Sequence, residues 1–421
     1  MNKNFKIFIL IFSLFNGGVT FADNSNSKET FQNQKSEEIV KSIVSQIEQN
    51  NPSLKALRSQ IDAEKIENKT GITMTDPEVE FNYLWGKPAL IGNRKDFSVK
   101  QSFDFPTTYF IKGNIADKQN IAAELKYKAS KIDLVLQAKQ AIIDLSYYNS
   151  LYSILKSRED DAKTLADLYS KSFEKGEANI IEKNKAELNY VNIKALLANA
   201  EADREAVVSK LTTLNGGVDI NLNSIDGGSE KEIGDLQLLD YNDNLLGNSF
   251  EEWYDGCVER NPMLEYVKQQ IEISEKEVKL SKHERMPKLS AGYMSESVVG
   301  ETFQGISVGV SIPLWENKNK TKLAKAKLIA QKDNEVNSKV EFYSQLKTLY
   351  SKTKSLSKIA ADYKTSIVSL DNTILLRKAL DAGKISLLEY IQEQNLYYDM
   401  VNSYLDSQKN YANSVAEMES F

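Results

Sequence analysis

The 421-residue chain has very few of the residues that build reactive or metal-binding sites, since it contains one cysteine, Cys257, and one histidine, His283. Two such residues cannot form a His/Cys metal site, a zinc finger or a disulfide framework within one chain. A Ser-His-Asp triad would need His283, but this residue lies in the charged run 282–285, which is typical of a solvated helix face. No glycine-rich phosphate-binding motif occurs in the sequence. The composition therefore predicts neither an enzyme nor a protein that holds a metal or cofactor.

Prolines and glycines are also scarce, with 7 and 19 in the chain, and no proline lies between Pro106 and Pro262 or after Pro313. Because both residue types interrupt helices, these stretches predict long helices, over about 107–175 and 314–382. At roughly 1.5 Å per residue, each would be about 100 Å long. An apolar series in the first stretch has the spacing of a packed coiled-coil seam: Ile132, Leu136, Ile143, Tyr147, Leu151 and Leu155.

Long hydrophobic runs are missing apart from one near the N-terminus. Lys3 and Lys6 lie just before the apolar stretch 7–15, and Ala22 is the last residue of a candidate signal-peptidase cleavage site. This order is typical of a secretory signal peptide, which we assign to residues 1–22. An α-helical membrane anchor is the alternative, but it needs about 20 apolar residues. We therefore expect an exported protein in which any membrane-spanning segment is a β-strand.

The formal net charge of the chain is −6, and loss of the two lysines in the signal peptide would make it −8 (−6 − 2). Nucleic-acid binding needs clustered Lys and Arg side chains that replace the counterions of the phosphates. Here the lysines are interspersed with acidic residues, which is the pattern of solvated helix faces. The charge distribution thus predicts no nucleic-acid partner.

An internal repeat relates the two halves of the chain. Asn51-Pro52 recurs as Asn261-Pro262 at an offset of 210 residues, and Gly176 recurs as Gly383 at an offset of 207 (262 − 52; 383 − 176). Landmarks that keep their order and spacing indicate a duplicated structural unit. We assign residues 23–215 to a first repeat, 216–248 to an acidic connector and 249–421 to a second repeat.

Alternation of apolar and polar residues predicts two β-strands in each repeat, as where Val79 and Phe81 flank Glu80. A half-buried soluble sheet would give the same alternation. Export and the aromatic residues at the strand ends, such as Trp85 and Trp315, favour membrane-spanning strands instead. Membrane barrels need at least about eight strands, so several chains would have to share one barrel. The predicted strands cover about 78–86, 96–105, 288–298 and 305–313.

Each repeat thus has a helix, two strands, a long helix, a glycine turn and a return helix. In this order the chain resembles the outer-membrane efflux protein family, the TolC-like channels, and is nearest to their heavy-metal and multidrug efflux branch. The resemblance covers essentially all of the mature chain and implies a mainly α-helical fold with transmembrane β-strands. Three copies would form an α-helical barrel and share a twelve-stranded β-barrel. The residues that carry it are Asn51-Pro52, Asn261-Pro262, Lys175–Glu182 and Ala382–Glu389.

The resemblance implies a homotrimer in the outer membrane of a Gram-negative cell, surrounded by outer-membrane lipid and extending into the periplasm. It would be the passive exit duct of a tripartite efflux system, joined through a membrane-fusion adaptor to an inner-membrane pump of the resistance-nodulation-division or ABC type. A type I protein-secretion channel of the same fold is one alternative. Another is a soluble periplasmic coiled-coil structural or adaptor protein, which the presence of two hairpins, each with its own strand pair, disfavours.

The two glycine turns are the positions to which the resemblance gives a docking role. In the family, the corresponding turns form the periplasmic tip that binds the adaptor. Gly176 and Glu177 occupy this position in the first repeat, and Gly383 and Lys384 occupy it in the second. We therefore expect these four residues to contact the adaptor.

Acidic residues just after the second turn line the constriction in the family. Glu389 has that position here, and Glu182 is its counterpart in the first repeat. Gln392 replaces a second acid of some members, and Ile385 replaces a basic residue. Three copies of each glutamate at a narrow mouth would create a negative field that favours cations. The alternative is that each glutamate only complements a helix N-terminus.

Overall fold

The protein is described by a computed structural model that covers residues 25–88, 91–220, 247 and 249–421. The predicted signal peptide lies outside the described residues, as does most of the predicted connector. Among the helices of these segments, not one carries an apolar stretch that could traverse a bilayer. The elements in chain order are α1 (Ser25–Asn50), α2 (Pro52–Glu67), β1 (Glu78–Leu84), β2 (Arg94–Phe103), α3 (Pro106–Glu174), α4 (Ile180–Leu214), α5 (Phe250–Arg260), α6 (Pro262–His283), β3 (Lys288–Val298), β4 (Glu301–Ser311), α7 (Lys320–Ser369), α8 (Thr373–Asp381) and α9 (Leu387–Glu419).

The Asn-Pro pairs of the two repeats have the same structural role. The Asn51 side chain accepts a hydrogen bond from the Leu54 amide at 2.9 Å, and the Asn261 side chain accepts one from the Leu264 amide at 3.0 Å. Each asparagine is therefore the N-cap of a helix whose first residue is proline. Proline suits that position because its missing N–H would have no partner within the helix.

The four strands form one antiparallel sheet in the order β1-β2-β3-β4. Phe81 pairs with Phe97, and Val99 pairs with Tyr293, which in turn pairs with Ile306. This register puts these apolar residues of all four strands on one face of the sheet, because side chains alternate between faces along each strand.

The strand boundaries differ from the predicted ones by a few residues, most clearly in the last hairpin. The strand β4 begins at Glu301 rather than at about 305, because only Val299 and Gly300 separate it from β3. Both of these residues have positive φ, 48° and 86°, as a two-residue type I′ turn requires. Valine is unusual at such a position, so the sequence did not indicate how tight the turn is.

The second long helix is interrupted, which corrects the prediction of one helix over 314–382. It begins at Lys320 and stops at Ser369, and α8 begins at Thr373. The Asp371 carboxylate accepts hydrogen bonds from the amide of Thr373 at 3.0 Å and from its hydroxyl at 2.7 Å. Short polar side chains that bond to the nearby backbone compete with helical hydrogen bonds. The first long helix, α3, is continuous over 69 residues.

The chain divides into two compact units with separate cores. Of the described residues, those within 1–50, 137–242 and 356–415 form one unit, and those within 51–136, 243–355 and 416–421 form the other. The second unit contains the sheet, and its main core is built on α5 and α7. We call this cluster the aromatic core, and it consists of Trp253, Cys257, Leu264, Phe342, Leu346, Leu349 and Met418.

Candidate functional site

The two glycine turns both belong to the first unit, and each closes a helix in the same way. In the first turn, the Gly176 amide donates to the Phe173 carbonyl at 3.0 Å and the Glu177 amide donates to the Ser172 carbonyl at 2.8 Å. This pair of bonds is a Schellman motif, which satisfies carbonyls at the C-terminus of a helix. Gly176 has a φ of 75°, in the left-handed region that favours glycine.

The second turn repeats this geometry. The Gly383 amide donates to the Leu380 carbonyl and the Lys384 amide donates to the Ala379 carbonyl, both at 2.9 Å, and Gly383 has a φ of 64°. A Cβ added to Gly176 or to Gly383 would meet no other atom within 4 Å. Backbone conformation, and not lack of space, is therefore what requires glycine in both turns.

Both gate candidates close capping boxes immediately after these turns. The Asn179 side chain accepts from the Glu182 amide at 2.9 Å, and a Glu182 carboxylate oxygen accepts from the Asn179 amide at 3.0 Å. In the second turn, the Ser386 hydroxyl accepts from the Glu389 amide at 3.2 Å, and a Glu389 carboxylate oxygen accepts from the Ser386 amide at 2.7 Å. Each glutamate thus satisfies an amide at a helix start.

The hydrogen bonds that Glu389 accepts from Ser386 hold the pKa of its carboxyl below its usual range. They favour the charged form of this carboxyl, and the side chain is exposed. Gln392 lies one helical turn further along α9 and is also exposed. In the turns themselves, the side chains of Glu177 and Lys384 are exposed to solvent.

Apolar contacts join the helices that flank the two turns. One buried cluster contains Leu165 and Ala166 from α3, Ala186 from α4, and Leu387 and Tyr390 from α9. The two predicted tip positions are therefore parts of one packed structure.

Solved outer-membrane channels have this arrangement of helices and strands. The CmeC outer membrane channel of Campylobacter jejuni matches with a TM-score of 0.74 at 17% identity, covering 91% of this chain and 85% of that one. The outer membrane protein VceC of Vibrio cholerae matches with a TM-score of 0.68 at 10% identity, covering 90% and 93%. The open state of the Neisseria gonorrhoeae MtrE outer membrane channel matches at 0.61 and 14%, covering 90% and 88%. The chain has the TolC-like outer membrane factor fold. No protein-family model and no curated protein matches the sequence.

Within this TolC-like fold, a buried cation that is not among the predicted site residues lies in the same unit as the turns. Arg158 is only 7% exposed, its guanidinium carbon lies 4.1 Å from the centre of the Tyr398 ring, and its Nη2 donates to Asn395 Oδ1 at 3.1 Å. Burial lowers the pKa of Arg158 and raises the pKa of Tyr398 to about 12. Arg158 begins a run of four charged residues, 158–161. Its burial could have been inferred from spacing, because position 158 lies three residues after Leu155 and so on the same helix face as the apolar series that ends there.

Proposed function

We propose that the protein is the outer-membrane exit duct of a tripartite efflux system, which passively conducts substrates supplied by an adaptor and an inner-membrane pump. The observation that carries this proposal is the exposed apolar face of the sheet. Ile306 is 86% exposed and Val308 is 77% exposed, and both lie on the same face as Phe81 and Val79. Exposing such an apolar face to water is unfavourable in free energy, whereas contact with lipid is favourable. The TolC-like fold supports the same conclusion.

The number of strands supports a homotrimer. In the order β1-β2-β3-β4, each of the outer strands β1 and β4 has one edge without a neighbouring strand in the sheet. Unpaired backbone groups are not tolerated within lipid, so the sheet has to close on itself or on other copies. Four strands are too few to close alone, and three chains would supply twelve. The proposed oligomer is therefore a trimer with a shared barrel and an α-helical tunnel in the periplasm.

The glycine turns are the proposed docking site for the adaptor. Gly176, Glu177, Gly383 and Lys384 would form its polar part. Next to them, Ile181 is exposed by 62% of its surface, which gives the docking surface an apolar component. Because the Schellman motifs and capping boxes define the backbone here, the turns would bind as preformed surfaces at little conformational cost.

The gate proposal assigns the constriction to Glu389, with Glu182 and Gln392 as further candidates. Glu389→Gln is a clean test, because glutamine also completes a capping box and only the charge is lost. We expect weaker block by multivalent cations in single-channel recordings of the reconstituted protein. Glu177→Gln, at an exposed position outside both boxes, is the matched control. Unchanged block in Glu389→Gln would refute the gate role.

Membrane fractionation tests the proposed function itself. We expect a heat-sensitive, SDS-resistant trimer in the outer-membrane fraction. A monomer in the periplasmic wash would instead support a soluble coiled-coil structural or adaptor protein. A type I protein-secretion channel would fractionate in the same way as an efflux duct, so the two are separated by cargo. Loss of a secreted protein from the medium in a deletion strain, with unchanged drug and metal tolerance, would favour the secretion channel.

A further inference from the structure

A partly enclosed polar cavity of about 190 Å³ lies in the second unit, where the sheet joins the helices. Its walls come from the end of β2, the start of α3, the start of β3 and the segment that leads into α7. The cavity is remote in sequence from the glycine turns and has no part in the gate or docking proposals. Its main polar lining residues are Asp104, Lys112, Lys288, Glu316, Asn317 and Lys320.

Asn317 leaves a buried acceptor at this cavity. The residue is only 7% exposed, and its amide nitrogen donates to the backbone carbonyl of Glu284. Its Oδ1 is buried and has no hydrogen-bond partner among the described residues. Exchanging the amide oxygen and nitrogen would set two carbonyl oxygens against each other, so the oxygen is the orphaned atom. A buried acceptor of this kind is satisfied by a ligand or water that donates a hydrogen.

Lys112 Nζ donates a hydrogen bond to Asp104 Oδ2 at 3.3 Å, whereas the other charged pairs around Asn317 are looser. Lys288 Nζ lies 3.9 Å from Asp104 Oδ1 and 4.0 Å from Glu316 Oε1, and Lys320 Nζ lies 3.6 Å from Glu284 Oε2. These separations exceed ordinary hydrogen-bond lengths, so the groups have capacity for a further partner.

The cavity is lined by both positive and negative side chains, and this mixture indicates which kind of ligand it can bind. A metal cation would be repelled by Lys112, Lys288 and Lys320, and a simple anion would be repelled by Asp104 and Glu316. A zwitterion that combines an N–H cation with an anionic group meets both sets of charges. Its cation can also donate to Asn317 Oδ1.

The surroundings of the cavity indicate where such a zwitterion comes from. Trp315, which is 79% exposed, is next to Glu316 in sequence, and Phe105 lines the cavity itself. Tryptophan is enriched at the level of lipid headgroups. On the proposed function, on which this step rests, the helix-side ends of the strands lie at the periplasmic surface of the outer membrane.

We propose that this cavity binds the phosphoethanolamine headgroup of a phospholipid. The phosphate is held by Lys288 and Lys320. The ammonium group donates to Asn317 Oδ1 and lies near Asp104 and Glu316. His283 also borders the cavity, but its Nδ1 is within 2.9 Å of Thr107 Oγ1, which already engages it.

Native mass spectrometry of the full-length protein in detergent tests this site with short-chain phosphatidylethanolamine, phosphatidylcholine and phosphatidylglycerol. We expect phosphatidylethanolamine to bind about tenfold more tightly than phosphatidylcholine, because methylation removes every N–H that could reach Asn317. The isosteric variant Asn317→Leu should abolish this preference. Lys288→Gln should weaken phosphatidylethanolamine binding about tenfold, while Lys325→Gln, at an exposed position on α7 outside the cavity, should not change it.

Equal binding of the three lipids, or a preference that survives both cavity variants, would overturn the site and point to water as its occupant. Full competition by free O-phosphoethanolamine at the same concentration would overturn the lipid assignment in favour of a soluble ligand. If the protein is absent from the outer membrane, the channel proposal fails, and with it the lipid source. If the protein fractionates with the outer membrane but binds the three phospholipids equally, the headgroup site is refuted and the channel proposal is not affected.

Discussion

Replacing Ser386 by alanine should loosen the second glycine turn without changing its charge. The Ser386 hydroxyl accepts a hydrogen bond from the Glu389 amide at 3.2 Å and so satisfies one of the unpaired amides at the start of α9. Loss of an N-cap side chain costs about 1 kcal/mol. With RT of about 0.59 kcal/mol, this corresponds to an increase of about fivefold in the local opening equilibrium.

Hydrogen exchange of the peptide that covers 384–392 measures this opening directly. We expect exchange there to rise about fivefold in Ser386→Ala. Asn179→Ala removes the equivalent cap at the first turn and should raise exchange there, leaving the second turn unchanged. Glu389→Gln should leave exchange at neutral pH close to that of the unmodified protein, because glutamine at this position also accepts from the Ser386 amide.

The pH dependence separates the carboxylate from its glutamine substitute. The pKa of Glu389 is lowered in the folded protein by hydrogen bonds from Ser386. A lowered carboxyl pKa stabilises the turn above the unfolded pKa, and this contribution is lost as pH falls through the folded value. Protection of the second turn, corrected for intrinsic exchange, should therefore decrease as pH falls from about 4.5, the ordinary value. In Glu389→Gln this decrease should be absent.

Two results would refute the capping argument. The first is unchanged exchange at 384–392 in Ser386→Ala, which would mean that the serine cap has no energetic role. The second is an equal rise at both glycine turns, which would indicate a global effect on the unit and not a local one.

Three further substitutions test the packing and the turns. Leu346→Ala should lower the free energy of unfolding by about 2–5 kcal/mol, because this side chain is 0% exposed in the aromatic core. The control Leu323→Ala, at a position that is 59% exposed, should change the free energy of unfolding by less than about 0.5 kcal/mol. Denaturant titration of both variants measures the difference. Gly383→Ala should cost about 1–2 kcal/mol from its positive φ alone, measured by local hydrogen exchange, and a cost near zero would contradict the left-handed conformation. Asn261→Ala should cost about 1 kcal/mol through loss of the cap of α6, visible as a lower thermal midpoint.

Local sequence rules were sufficient where a single residue type has one structural role. Pro52 and Pro262 mark the first residues of helices, and Gly176 and Gly383 adopt the positive φ that ends them. The alternation around Phe81 predicted the strands and the face to which each side chain points. These features depend on the backbone nearby and not on distant contacts, so they can be inferred without knowledge of the packing.

The features that the sequence did not predict depend on competition between groups. The break before Thr373 arises because the Asp371 side chain bonds to the backbone, although the surrounding residues are compatible with a helix. The charged run that begins at Arg158 does not indicate burial, and the packing of Tyr398 and Asn395 against this residue makes a buried cation acceptable. In both cases the outcome is decided by a partner that the one-dimensional pattern does not identify.

The two roles considered for Glu389, helix cap and gate charge, support each other physically. The side chain of a solvated glutamate without hydrogen-bond partners samples several rotamers, so its charge has no single position, and it becomes neutral near its ordinary pKa. The capping box holds one carboxylate oxygen 2.7 Å from the Ser386 amide and lowers the carboxyl pKa. The charge is thereby fixed in place and kept over a wider pH range. In the proposed trimer, three such carboxylates would form a ring whose field is set by the turn. Ser386→Ala should then weaken cation block even though it removes no charge, whereas Glu389→Gln should weaken cation block and leave the turn intact.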